Sequence, residues 1–91
     1  MKTTTTARTS TAVARLVEKI EMTVRTASFY EDAVENANEA GLDSIAAEMF
    51  SRSVEWHQEA DDLLGSLARM MDITENEANE YFLAAAYGLG Q

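Results

Sequence analysis

The single histidine of this 91-residue chain, His57, lies beside its single tryptophan, Trp56, in the acidic stretch SVEWHQEADD. A histidine among carboxylates is the composition of both acid–base and metal sites. The carboxylates of the stretch are Glu55, Glu59, Asp61 and Asp62. They alternate around a helix, so most must face water, and paired carboxylates do acid–base work only where burial separates their pKa values. We therefore interpret them as a solvated acidic face and not as a catalytic pair.

A second candidate arrangement joins His57 to Glu31, which replaces an apolar residue on the apolar stripe of the first predicted helix. If the chain turns back between the two helices, Glu31 lies opposite Arg52 or Ser53, with His57 one helical turn away, about 6 Å along the axis. We expect a contact of Glu31 with His57 or with Arg52. The functional interpretation is a metal or proton site. The structural interpretation is a buried polar pair that fixes the register, with Tyr30 or Ser53 completing its hydrogen bonds.

The metal interpretation needs more ligands than one chain provides. One histidine and one glutamate are too few for a structural metal, whereas two copies of Glu31 and His57 across a dimer would supply four. We expect no cofactor. If the chain binds a metal ion, Glu31 and His57 are the expected ligands. No Ser/His/Asp set or glycine-rich phosphate loop is visible, so we expect no enzymatic activity.

These residues must be positioned by helices, because the chain lacks proline and is rich in alanine, glutamate, methionine and leucine. The first helix is predicted over residues 11–40, with apolar residues every three or four positions: Val13, Val17, Ile20, Val24, Ala27 and Val34. Gly41 ends it. The second is predicted over residues 44–71, with the stripe Ala46, Phe50, Ser53, His57, Ala60, Leu64, Leu67 and Met71. The short link forces an antiparallel hairpin.

A short third helix is predicted at the C-terminal end. Thr74 and Glu77 have the spacing of a capping box, and Gly88 follows the last apolar turn. Residues 1–10 are Thr-rich, lack periodic apolar positions and are predicted to be a flexible tail. The predicted fold is therefore all-α: a long antiparallel helical hairpin plus a short C-terminal helix, with residues 11–91 forming one domain.

Several large apolar side chains exceed what one helical seam can cover. Trp56 fits either a core position or an interface anchor. Met49, Leu63 and Met70 flank the same stripe, and the C-terminal helix fits either a core element or a docking helix. The residues assigned to partner binding are Trp56, Glu55, Glu59, Asp62, Tyr81, Phe82, Leu83 and Tyr87. We expect a homodimer built on this apolar surface.

The charge of the chain is unevenly placed. The net charge is −9, and residues 31–91 carry fourteen acidic side chains against two basic ones. Such a surface repels a phosphate backbone, so direct nucleic-acid binding is not expected. Cysteine is absent, no apolar run approaches a membrane span, and no secretory signal is recognisable. We expect a cytoplasmic protein with no membrane contact.

Residues 29–60 resemble the first helical hairpin of rubrerythrin and related ferritin-like proteins. The shared pattern is an aromatic pair, then Ala33 and Ala37, Gly41 at the turn, and the run Ile45–Ala47. That family binds two irons with a glutamate on one helix and a Glu-x-x-His motif on the next. His57 here is preceded at that spacing by Val54.

Aligning the chain through Ile45–Ala47 instead places Trp56 and Glu59 near the motif and Thr23 near the glutamate of the first helix. Neither alignment restores the ligand set. The resemblance therefore implies a ferritin-like half-bundle that pairs into four helices, without the metal chemistry of the family.

These observations favour a non-catalytic, acidic helical module that acts by binding another protein. A basic protein is one option for that partner. One alternative is a ferritin-like metal-binding protein whose site is completed across a dimer. A further alternative is a small acidic inhibitor, like the anti-CRISPR proteins of phages, that blocks the basic nucleic-acid-binding surface of its partner.

Overall fold

The computed structural model describes the backbone of residues 2–88 and the side chains of residues 11–88. The chain forms three helices: α1 (Lys2–Glu39), α2 (Asp43–Met71) and α3 (Glu75–Tyr87). The described residues contain no strand. The predicted all-α fold, with a helical hairpin and a short third helix, is confirmed.

The turn between α1 and α2 is made by a glycine in the left-handed conformation. Gly41 has φ of 74°, a value that costs an L-residue with a side chain about 1–2 kcal/mol. Its N–H donates to the Asn38 carbonyl at 3.1 Å, and the Leu42 N–H donates to the Ala37 carbonyl at 2.8 Å. This pair of bonds is a Schellman motif and satisfies the carbonyls that α1 leaves open. The predicted turn at this glycine is confirmed.

The start of α1 differs from the prediction. The backbone is helical from Lys2, whereas the sequence pattern predicts a start near Thr11. Residues 1–40 contain neither glycine nor proline, and threonine costs only about half a kcal/mol relative to alanine in a helix. Once α1 has formed, extension adds one hydrogen bond per residue and needs no new nucleus. The flexibility of this segment and the single domain over residues 11–91 stay predictions.

The chain divides into two compact units, one of which is the hairpin unit, Met22–Asp61. The interior of this unit is made of small side chains. Its buried residues are Thr23, Ala27, Ala37, Ala46, Ser53 and Ala60. Small residues at a helical seam allow two backbones to approach closely, but each removes little apolar area from water.

The other unit combines α1 up to Glu21 with the chain from Asp62 onward. It contains the two largest fully buried side chains, Ile20 and Leu67. The remaining apolar residues buried there are Val13, Val17, Ala68, Ala78 and Phe82. This unit therefore has the conventional apolar core that the hairpin unit lacks.

The capping box predicted for α3 is confirmed. The Glu77 N–H donates to the Thr74 hydroxyl at 3.2 Å, and the Thr74 N–H donates to the Glu77 carboxylate at 3.1 Å. At the other end, Gly88 has φ of 69° and its N–H donates to the Ala84 carbonyl at 2.9 Å. Both ends of this short helix thus have partners for groups that would otherwise be left open.

Among the described residues, no helix is both long enough and apolar enough to cross a bilayer.

Candidate functional site

The hairpin unit exposes large apolar side chains while it buries small ones. Phe29 is 66% exposed and Phe50 is 59% exposed. The remaining large apolar residues exposed in this unit are Met22, Leu42, Ile45 and Val54. A soluble surface usually scatters such residues singly, and a group of them marks a binding surface.

Two of these residues, Phe50 and Val54, line a groove along one side of the hairpin. They are four residues apart on α2 and so share a face. Together with Glu31, Val34, Ser53 and His57 they enclose a recess of about 340 Å³. A second recess of about 340 Å³ adjoins it through Val34 and Phe50 and is lined also by Asn38, Asp43, Ala46 and Ala47. We call these two recesses together the hairpin groove.

A polar pair lies at one end of the hairpin groove. His57 on α2 and Glu31 on α1 are in contact through Nε2 and Oε1. An ionised carboxylate only accepts, so a hydrogen bond to an ionised Glu31 requires the form of His57 that has a proton on Nε2. The contact joins the two helices across the hairpin and is one of the two contacts, with His57 or with Arg52, that the sequence spacing predicts for Glu31.

The surroundings of this pair correct the structural interpretation made from the sequence. The side chains of His57 and Glu31 are 52% and 54% exposed, so the pair is not buried. Ser53, which is buried, donates instead to the Phe50 carbonyl at 2.7 Å on its own helix. Arg52 lies 3.4 Å from Glu48, also on its own helix, and not against Glu31. The pair is a wet contact at the rim of the groove.

The predicted apolar stripe of α2 is wrong at two positions. The stripe places Phe50 and His57 on the core side, and both are exposed. The buried members of the stripe are Ala46, Ser53, Ala60 and Leu67, which follow each other at intervals of seven residues. Phe50 and His57 lie to one side of this line, on the flank that the groove occupies.

The acidic residues assigned to partner binding lie at the surface. Glu55, Glu59 and Asp62 are exposed, and Trp56 is half-buried. None of these four lines the hairpin groove. Their assignment to partner binding stays a prediction.

The residues assigned on α3 divide by burial. Tyr81 is 40% exposed, Tyr87 is 44% exposed, and Leu83 is half-buried. Phe82 is buried at 3% exposure and packs edge-to-face against Tyr87, with ring centroids 5.6 Å apart. Phe82 is therefore a core residue of this chain, which is the other of the two roles that the sequence left open for this helix. The short helix turns one large ring inward, which leaves the tyrosines as its accessible aromatic surface.

The apolar surface predicted to form a dimer is also less exposed than expected. Met49, Trp56 and Leu63 are half-buried, and only Met70 among that set is exposed, at 44%. Sequence reasoning instead missed Val34, Phe50 and Val54 as lining residues of a groove. Phe50, Val54 and His57 share one flank of α2, but their spacing marks a helical face without showing which side of it meets the neighbouring helix.

The groove has the donor set of an incomplete metal site at most. Glu31 and His57 provide two ligands, and zinc needs about four. In the part of the chain whose side chains are described, no group of three or more His, Cys, Asp or Glu side chains is arranged to hold a metal ion.

The hairpin unit carries a large negative charge. Residues 22–61 contain nine carboxylates and two arginines, a net charge of −7. Glu31 and Asp43 line the groove, and no lysine or arginine does. The hairpin groove can therefore bind a ligand whose apolar groups lie next to positively charged groups.

Comparison with protein-family models, with curated proteins and with solved structures gives no match to this chain.

Proposed function

We propose that this protein is a non-catalytic helical module that binds another protein through the hairpin groove. The observation that carries the proposal is the reversed burial of the hairpin unit. Alanine and serine occupy its interior, while Phe50 and Val54 line an open recess of about 340 Å³. A recess with apolar walls and polar ends is the usual form of a recognition site.

Energetics supports a protein as the ligand. Fully burying a phenylalanine or valine side chain contributes roughly 1.5–3 kcal/mol, and Phe50 and Val54, at 59% and 38% exposure, leave part of that contribution unrealised. A partner that covers them gains this remaining part on binding. Interfaces commonly concentrate their affinity in a few such apolar residues near the centre of the contact.

A pair of matched substitutions tests this function. Phe50→Ala removes a groove residue that is 59% exposed, and Phe29→Ala removes the same side chain type at 66% exposure outside the groove. We expect wild-type protein and Phe29→Ala to retain the same partner in equimolar amount from source cells, as measured by quantitative mass spectrometry. Phe50→Ala should lose that partner. Retention of identical proteins by all three forms, or of none by any, would contradict the proposal.

A homodimer is the second candidate, and a different surface favours it. Met22 and Phe29 are seven residues apart on α1, are 68% and 66% exposed, and therefore form one apolar patch outside the groove. Pairing through this patch would hide both side chains and would build the four-helix arrangement that the ferritin-like resemblance implies.

Light scattering at micromolar concentration tests the dimer. The charge of −9 per chain opposes association, so salt should strengthen the dimer by screening the repulsion. Phe29→Ser should dissociate it, and Phe50→Ser should not. A monomer mass at low and high salt would refute the dimer and leave the groove proposal standing.

A metal-binding function and an inhibitory function have less support. The ferritin-like metal protein would have only Glu31 and His57 as ligands from each copy. The acidic inhibitor agrees with the charge of −7 on the hairpin unit, and it would be one instance of the interaction module proposed here. Its distinguishing feature would be a partner whose basic surface also binds nucleic acid.

A further inference from the structure

The walls and the ends of the hairpin groove differ in chemistry. Val34, Phe50 and Val54 form the apolar middle. Glu31 and His57 lie at one end, and Asp43 lines the recess nearer the turn. Asp43 and His57 are fourteen residues apart on α2, which at 1.5 Å per residue is about 21 Å. The hairpin groove is therefore apolar along its middle and carries a negative charge towards each end.

This charge pattern disfavours the hairpin unit of a second copy of the chain as the occupant of the groove. Another hairpin unit would bring its own net charge of −7 against the same carboxylates, and like charges at close range oppose association. Of the two arginines in the hairpin unit, Arg52 lies beside Glu48 on its own helix and lines neither recess. A cationic partner meets no such repulsion.

The shape of the hairpin groove indicates the secondary structure of the partner. A groove between two antiparallel helices accommodates the apolar face of a third helix, whose residues at i, i+3 or i+4 and i+7 enter it as anchors. A length of about 21 Å corresponds to roughly fourteen helical residues. A strand would instead need an open sheet edge, which a helical hairpin does not provide.

We infer that the hairpin groove binds a basic amphipathic α-helix of a protein partner. The inference rests on the proposed function and adds the chemistry of the partner. Apolar side chains of that helix contact Phe50, Val54 and Val34. Lysine or arginine side chains near its two ends pair with Glu31 at one end of the groove and with Asp43 at the other. Charge-assisted hydrogen bonds to these carboxylates fix the position of the helix along the hairpin groove.

A display selection on purified protein tests this without a known partner. The probe is a library of helical fourteen-residue peptides with equal frequencies of acidic and basic residues. Peptides are selected on wild-type protein, and their binding to Phe50→Ala and Phe29→Ala is then measured by fluorescence anisotropy. Both variants remove an exposed phenylalanine, and only the first alters the groove. Circular dichroism verifies that each variant keeps its helical content.

The inference predicts that selected peptides gain lysine and arginine and carry an apolar face with helical spacing. Their affinity should fall at least about tenfold on Phe50→Ala and less than about twofold on Phe29→Ala. The double variant Glu31→Gln, Asp43→Asn should weaken binding and flatten its salt dependence. Glu35→Gln with Glu48→Gln, two exposed carboxylates outside the groove, should change the salt dependence less.

Three results would overturn the inference. Selected peptides could be neutral or acidic, they could bind Phe50→Ala as tightly as wild type, or no helical peptide could be enriched. The first result would overturn only the chemistry of the partner, and the groove would still be proposed as a protein-binding site. The proposed function is tested separately, by whether the capture of a partner from cells depends on Phe50. Loss of that capture would instead remove the proposed function itself.

Discussion

Glu31 on α1 and His57 on α2 are 26 residues apart in the chain and are in hydrogen-bond contact across the hairpin. The contact is possible only in one register of the two helices. Moving α2 by one helical turn would shift His57 about 5.4 Å along the axis and break it. The pair thus marks both the register of the hairpin and one end of the groove.

The energetic coupling between Glu31 and His57 should be small. Both side chains are about half exposed, so water and salt screen the interaction, and exposed ion pairs typically contribute about 0.2–1 kcal/mol. We predict a coupling below about 1 kcal/mol in a double-mutant cycle of Glu31→Gln and His57→Gln, from urea unfolding at neutral pH. A coupling of several kcal/mol would show that the pair is buried in solution.

Ile20 should contribute much more than Phe50 to the free energy of unfolding, although both side chains are large and apolar. Ile20 is fully buried and Phe50 is 59% exposed. We predict that Ile20→Ala lowers the free energy of unfolding by about 2–5 kcal/mol. Phe50→Ala should change it by no more than about 0.5 kcal/mol. Denaturant unfolding followed by circular dichroism measures both. The reverse order would place Phe50 in the core and remove the groove.

The capping box of α3 gives a pH dependence of known sign. The Thr74 backbone N–H, and then the Thr74 hydroxyl, hydrogen-bond the Glu77 carboxylate and hold its pKa below the ordinary value. A carboxyl whose pKa is lowered by folding stabilises the fold fully above its unfolded pKa. That contribution is lost as the pH falls through the folded pKa.

An NMR titration of the Glu77 side chain measures this shift. We expect a lowered pKa in the wild type that returns towards the ordinary value in Thr74→Ala, because that variant removes the hydroxyl and weakens the cap by about 1 kcal/mol. Glu77→Gln should abolish this part of the pH dependence of stability. The return in Thr74→Ala should be partial, because alanine keeps the backbone N–H that lowers the pKa most. A Glu77 pKa at its ordinary value in the wild type would mean that the box does not form in solution.

The turn should tolerate substitutions according to their ability to adopt positive φ. Gly41 has φ of 74°, and a Cβ added there meets no atom within 4 Å. The cost of Gly41→Ala is therefore backbone strain alone, about 1–2 kcal/mol, and Gly41→Asn should cost less because asparagine enters this region more readily. Thermal unfolding of the two variants gives the comparison. Equal stability of Gly41→Ala and wild type would contradict the left-handed turn.

The sequence predicts the hairpin and the third helix because their boundaries depend on local chemistry. Gly41 ends α1 and Thr74 caps α3, and each acts through hydrogen bonds within a few residues. The start of α1 at Lys2 was not predicted, because a threonine-rich segment lacks the apolar period that marks a packed helix, although nothing in it breaks one.

The groove could not be predicted, because periodicity shows a helical face but not which side of a wide face meets its neighbour. On α2, Phe50 and His57 continue the spacing of Ala46 and Leu67, and hydrophobicity alone ranks Phe50 above Ala46 for burial. The structure does the opposite, with Ala46 buried and Phe50 exposed. Close approach of two helices selects small side chains for the seam, and that choice depends on both helices at once.

Photo-crosslinking from Val54 is the most direct measurement of the central claim that the hairpin groove binds a protein. A photoreactive side chain at Val54 lies in the groove, and one at Asn36 is exposed on α1 and lines neither recess. After irradiation in source cells, the claim predicts one dominant adduct from position 54, absent from position 36 and lost when Phe50→Ala is added. Equal adducts from both positions, or none from position 54, would contradict the claim.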